Sequence, residues 1–293
     1  AGLGKRQALA TFRVRHVPRL PQLVVDRPRL TARLDEGAPL TLLQAPVGFG
    51  KTTLAAQWMR AQAQAGSADA LVWLRVRPRA GDAASFWPDA VDLLADAGIA
   101  VPPRTEASDP ARQVERALDR ADRPVVMVID SFEHVTDLDI GPSLLDLVRH
   151  IPDLRLVLCL RGRRQLAEYH YLDLDVTVLG ATELRFTLDE TENLFRRAGI
   201  SVREAVLHDL YAESRGWPEP TRALALRMRA APTLSEDDLP ALVDGIASDY
   251  LRNRLLTEVD SSDHIDFALA TAVADEFTTD LAAALSRPTW RPR

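Results

Sequence analysis

The chain has 293 residues, 46% of them hydrophobic and 27% charged, enough for about two or three small domains with real cores. Its net charge of -6 excludes a global positive field that would hold a nucleic-acid backbone or an anionic membrane. The single cysteine, Cys159, excludes a disulfide framework and a Cys/His metal cluster, and no apolar run is long enough to span a bilayer, so a reducing, cytoplasmic setting is expected.

In chain order, the first locally basic stretch, Lys5 to Arg19, reads as a solvated arm. Residues 40 to 44 read as a short buried strand and Thr53 to Gln64 as a helix, joined by the loop Ala45-Pro46-Val47-Gly48-Phe49-Gly50-Lys51-Thr52-Thr53. Apolar runs recur at Ala70 to Val76, Val125 to Ile129 and Leu154 to Leu160, with a more polar one at Asp175 to Leu179. Helical patterns lie between them at about 85 to 97, 110 to 121 and 140 to 150. Continuous apolar strands alternating with amphipathic helices predict an α/β fold with a parallel sheet covered on both faces. After Gly180 the strand signal stops, and helices are expected at roughly 188 to 198, 201 to 214, 219 to 230 and 236 to 257, punctuated by Gly199, the cluster Gly216 to Pro220, and Pro232.

The loop after the first strand has the form G-x-x-x-x-G-K-[ST] with Ala45 at its head and Gly50, Lys51 and Thr52 in place. Glycines suit a loop that wraps phosphates with backbone N-H groups, because a Cβ obstructs both the turn and the approach. The following helix adds its positive end to the anion site. Of the 36 basic residues only Lys5 and Lys51 are lysines, so a chain that writes arginine almost everywhere places a slim ammonium inside this loop. The pattern assigns the amides of Val47, Gly48, Phe49, Gly50, Lys51 and Thr52 to a β-phosphate, Lys51 to the β and γ oxygens, Thr53 to the α-phosphate side and the Thr52 hydroxyl to Mg2+, with ATP or ADP as the ligand.

Such a site needs a carboxylate at a strand tip for the Mg2+ shell, and Asp130 at the end of Val125 to Asp130 is the candidate. Ser131 follows where hydrolysing proteins commonly place a second acidic residue, and serine cannot act as a carboxylate base. Glu133 is the candidate to orient water in its stead, although its direction is not fixed by sequence. Arg161, closing the run Leu156 to Arg161, reads either as a cation sensing a γ-phosphate or as part of the solvated Arg161 to Arg164 turn. Pro18, Val25 and Arg27 precede the first strand and are candidates for a lid on the base.

With these residues in view, the chain resembles the nucleotide-binding module of STAND-type, AAA-like ATPases, specifically of large ATP-binding LuxR-type transcriptional regulators of the maltose-activator kind. The stretches that carry the resemblance are 25 to 30, 40 to 54 with Gln57-Trp58, 72 to 74, Phe86-Trp87, 128 to 130, 156 to 161, 183 to 186, and Gly216-Trp217-Pro218. An alanine at the loop head is typical of that family. The resemblance implies a P-loop NTPase parallel sheet sandwiched by helices over residues 1–180, a helical domain at 181–234, and an incomplete winged-helix domain at 235–293. It implies an ADP-bound resting form and an ATP-bound form that self-associates in the full-length protein, a switch in signal transduction. By the same token Lys51 and Thr52 hold phosphate and Mg2+, Asp130 is the Mg2+ carboxylate and Arg161 the γ-phosphate sensor. Val25 and Arg27 fall at the adenine end, and Pro218 packs on the nucleotide. Direct DNA binding belongs to a helix-turn-helix beyond this chain, and no membrane contact is implied. Relatives commonly have Asp-Asp at Asp130-Ser131, so at most slow ATP hydrolysis is expected. A P-loop enzyme with turnover, either ATPase or small-molecule kinase, and a degenerate module that binds nucleotide only to hold its fold both remain open.

Overall fold

The computed structural model describes residues 16–78, 80–103, 109–162 and 166–230, with short stretches at 245–246, 267, 270–271 and 278–285. All but 245–246 of the helix expected at 236–257, nearly all of the proposed winged-helix region and most of the basic arm lie outside the described residues.

Five parallel strands form one sheet in the order β2-β3-β4-β1-β5, with β1 at Leu40–Gln44, β2 at Ala70–Arg75, β3 at Val125–Asp130, β4 at Leu154–Leu160 and β5 at Val176–Leu179. Every residue of β3 is buried, as the unbroken apolar run requires when helices cover both faces. Side chains alternate between two cores. Leu40, Leu42, Val125, Met127, Ile129, Leu156 and Leu158 face one core, built with α3 (Ala83–Asp96), α4 (Pro110–Asp119) and α5 (Ile140–His150). Leu43, Val126, Val128, Val157 and Cys159 face the other, against α1 (Pro28–Asp35) and α2 (Lys51–Gln64). The interior position of β1, paired on one side with β4 and on the other with β5, delivers its loop to the C-terminal edge of the sheet between neighbouring strand tips.

Among the described residues the last strand ends at Leu179, and α6 (Ala181–Leu184), α7 (Leu188–Arg197), α8 (Glu204–Ser214) and α9 (Pro218–Ala230) follow. Their third core, with Phe195, Leu207, Leu210 and Leu224, also takes in Leu23 and Val25 from the segment before α1. A second tie is the buried Glu190 of α7. Its carboxylate meets Arg29 Nε at 2.8 Å and Arg27 Nε at 3.3 Å. The same carboxylate caps its own helix by accepting from Thr187 N at 3.1 Å, closing a capping box. Among the described residues no helix is long and apolar enough to cross a membrane.

Candidate functional site

The ladder continues one residue past β1, where Ala45 N donates to Leu160 O at 3.2 Å, and the chain then turns through Gly48 (φ 84°) and Gly50 (φ 78°) into α2. Both glycines occupy the left-handed region that side chains resist. Helix α2 begins at Lys51, two residues before the start read from sequence, so the free N-H groups of its first turn open at the sheet edge beside the loop. Lys51 is buried and its Nζ donates to Ala45 O at 2.6 Å and Pro46 O at 2.9 Å. Burial pushes its pKa down, while the nearby Glu133 carboxylate, among others, opposes that shift.

At the tip of β3, Asp130 is 2% exposed. Its Oδ1 accepts from Thr52 Oγ1 at 2.7 Å, and among the described residues its Oδ2 has no hydrogen-bond partner, the Arg75 Nε standing 4.0 Å away. Burial pushes this carboxyl upward, and the Thr52 bond only partly offsets it. A hydroxyl joined to a carboxylate with one unbonded buried oxygen is a hard-oxygen pair that fits a divalent cation such as Mg2+. Ser131 then adopts φ 61°, ψ 40°, the left-handed region, and a 3-10 turn at Phe132–His134 follows. That reversal carries Glu133 back to the tip of β4, where its Oε1 lies 2.6 Å from Arg161 Nε.

These groups meet at a cleft of about 340 Å3 lined by Val25, Arg27, Val47, Gly48, Gly50, Lys51, Thr52, Thr53, Arg161 and Pro218, among others. Four expected residues are not in its lining, and one of them is Pro18, whose carbonyl oxygen instead accepts from Arg60 Nη2 at 3.0 Å. Phe49 turns away to stack on Trp217, with ring centroids 6.0 Å apart, while Asp130 meets the cleft through Thr52 and Glu133 through Arg161. Arg27 touches the cleft, but its Nη2 donates to Leu184 O at 2.8 Å and Arg185 O at 2.7 Å and its guanidinium lies over the Phe186 ring. Burial lowers its pKa to about 10, with Glu190 opposing.

Sequence reasoning passed over the residues that hold the segment before α1. Gln57 Nε2 donates to Val25 O at 3.2 Å, Arg222 Nε to Leu23 O at 3.0 Å, and Arg197 to Val24 O. Nor did it see that Glu219 N donates to Gly48 O at 3.1 Å, which joins the start of α9 to the loop itself. Only the sequence Gly216-Trp217-Pro218 hinted at it.

Residues 33–169 match the family described as AAA domain. Over those residues the chain is similar to an AAA-type P-loop domain. The MalT transcriptional regulator of Yersinia pestis, described as HTH-type, is 28% identical over 261 residues, which cover 82% of this chain and 28% of that protein. The chain therefore spans well under a third of the length of the curated relatives it matches. Among solved structures, the Walker-type ATPase of Pyrococcus abyssi superposes with a TM-score of 0.61 at 11% identity, covering 87% of this chain and 83% of that one. The STAND protein with a tetratricopeptide repeat sensor from Pyrococcus horikoshii gives a TM-score of 0.50 at 14% identity, over 89% of this chain and 36% of that one. The solved structures establish the fold. The MalT relatives agree with the maltose-activator resemblance read from the sequence.

Proposed function

We propose that this chain is a nucleotide switch: it binds ATP or ADP with Mg2+ in the cleft above the sheet and transmits the state of the nucleotide to α9. The observation that carries this reading is the direct bond from Glu219 N to Gly48 O at 3.1 Å, supported by the Phe49 and Trp217 stack. A loop that wraps phosphates and a helix that starts on that loop cannot move independently. Val47 to Thr53 surround the phosphates with N-H groups, and Lys51 exchanges its bonds to Ala45 O and Pro46 O for phosphate oxygens. Thr52 and Asp130 hold Mg2+, which neutralises phosphate charge when bound. Val25 and Arg27 border the base, and Pro218 closes the cleft from α9. In this reading 1–180 form the nucleotide-binding domain, 181–234 the helical domain and 235–293 the start of a winged-helix domain.

Ser131 supplies no carboxylate, so binding with slow or absent hydrolysis is favoured over rapid turnover. The MalT likeness supports a place in a cytoplasmic LuxR-type transcriptional regulator whose ATP state self-associates, with DNA contacted by another part of that protein. Hydrogen exchange in the presence of ADP or of a non-hydrolysable ATP analogue tests the switch. The amides of 216–222 and of the 47–52 loop should change protection together between the two nucleotides. Identical exchange there with both nucleotides bound would contradict it.

A further inference from the structure

The loop that follows Asp130 is shaped with unusual care for a residue without a role in the sequence motif. Ser131 sits in the left-handed region at φ 61°, a conformation that costs a non-glycine residue roughly 1 kcal/mol. Phe132 is fully buried and anchors the turn, and Thr136 N bonds to Gly81 O at 3.0 Å. Gly81 itself is pressed against this loop, since a Cβ there would stand 1.9 Å from His134 O. The product of these constraints is the short ion pair between Glu133 Oε1 and Arg161 Nε, whose side chains are only 16% and 31% exposed.

Arg161 and Lys51 both line the cleft, and the Glu133 carboxylate that pairs with Arg161 also favours the charged form of the Lys51 ammonium. We propose that Glu133 is a specificity-determining residue that sets the preference between nucleoside diphosphate and triphosphate by holding Arg161 and opposing further negative charge beside Lys51. This rests on the reading of the cleft as a nucleotide site. A third phosphate brings more negative charge than a second and asks for the Arg161 guanidinium. Glu133 competes for that guanidinium and repels that charge, and both effects favour the diphosphate. Ser131 places no charge at the neighbouring position, so Glu133 acts there without a second carboxylate beside Asp130.

The test is calorimetric titration of the full chain with ADP and with a non-hydrolysable imido analogue of ATP, both with Mg2+. Wild type, Glu133→Gln, Arg161→Ala and the double variant are compared. Glutamine keeps the shape and a hydrogen bond to Arg161 while removing the charge. The expected result is a shift of the triphosphate-to-diphosphate affinity ratio of about tenfold toward the triphosphate in Glu133→Gln, the scale of one charge-assisted hydrogen bond. The same change on the Arg161→Ala background should shift the ratio clearly less. A loss of fold lowers both affinities and leaves the ratio unmoved. An unmoved ratio in a Glu133→Gln variant that keeps the wild-type unfolding midpoint and still binds ADP, with both nucleotides binding wild type, overturns the inference alone. Failure of wild type to bind either nucleotide overturns the nucleotide-site reading with it.

Discussion

Gly216 is the position where helix α9 is fastened to the rest of the molecule, and Gly216→Ala measures how tightly. Its φ is +68°, and an added Cβ would stand 2.4 Å from Phe186 O and 3.2 Å from Tyr211 Cε2. The left-handed conformation alone costs alanine about 1 kcal/mol. The contact with Phe186 O is backbone against backbone, so the Phe186 segment must shift and strain its own N-H bond to Gly216 O, 2.7 Å long. Overpacking and one weakened backbone bond add about 2 kcal/mol. The total is about 3 kcal/mol, or a melting temperature about 5 °C lower for a chain of 293 residues. Gly66→Ala is the control, because Gly66 has φ +75° and nothing within 4 Å of its added Cβ, so only the conformational cost of about 1 kcal/mol remains. Denaturant unfolding of both variants isolates the clash as their difference. If Gly216→Ala proves no more destabilising than Gly66→Ala, the close seating of the 216–219 turn against Phe186 is wrong, and with it the mechanical link from loop to α9.

Glu190→Ala removes the carboxylate shared by the buried Arg27 and the half-buried Arg29 and should cost about 3 to 5 kcal/mol, since it strands a buried cation; Glu190→Gln should cost clearly less because the capping bond to Thr187 N survives, as denaturant midpoints will show. Asp130→Asn should stabilise the chain in nucleotide-free buffer by about 1 kcal/mol at neutral pH while removing any Mg2+ dependence of nucleotide affinity. Because burial raises the pKa of this carboxyl in the folded state, its ionisation costs stability above that raised value. The cost fades as pH falls toward the ordinary carboxylate range, so the advantage of asparagine should shrink on acidification. An advantage that grows with falling pH would contradict the burial of Asp130.

The strands at 40–44 and 154–160 match their expected bounds residue for residue, because apolar runs this short, closed by proline or charge, are too short for a buried helix. Strand β3 runs one residue past the apolar stretch because Asp130 still pairs with Arg75 in register. The loop glycines and Lys51 were legible because backbone wrapping demands those residue types at that spacing. Helix α1 was not foreseen. It is short, starts at Pro28, and offers only Leu30 and Leu34 as buried apolar positions, too few to set a period. The reach of Glu133 to Arg161 was illegible for a different reason: it depends on the left-handed turn at Ser131, and nothing about a serine announces φ 61°. Arg27 and Arg29 are far from Glu190 in sequence, as Arg222 is from Leu23, and only the packing of the α7–α9 core brings them together.

Titration of the purified chain with ADP and with ATP in the presence of Mg2+, wild type beside Lys51→Ala, tests the central claim most directly. Wild type should bind both nucleotides at a single site with little phosphate released, and Lys51→Ala should bind neither, since the ammonium that now bonds Ala45 O and Pro46 O is the only lysine at the loop. Absence of binding in wild type, or equal binding in Lys51→Ala, would contradict the assignment of this cleft as a nucleotide site.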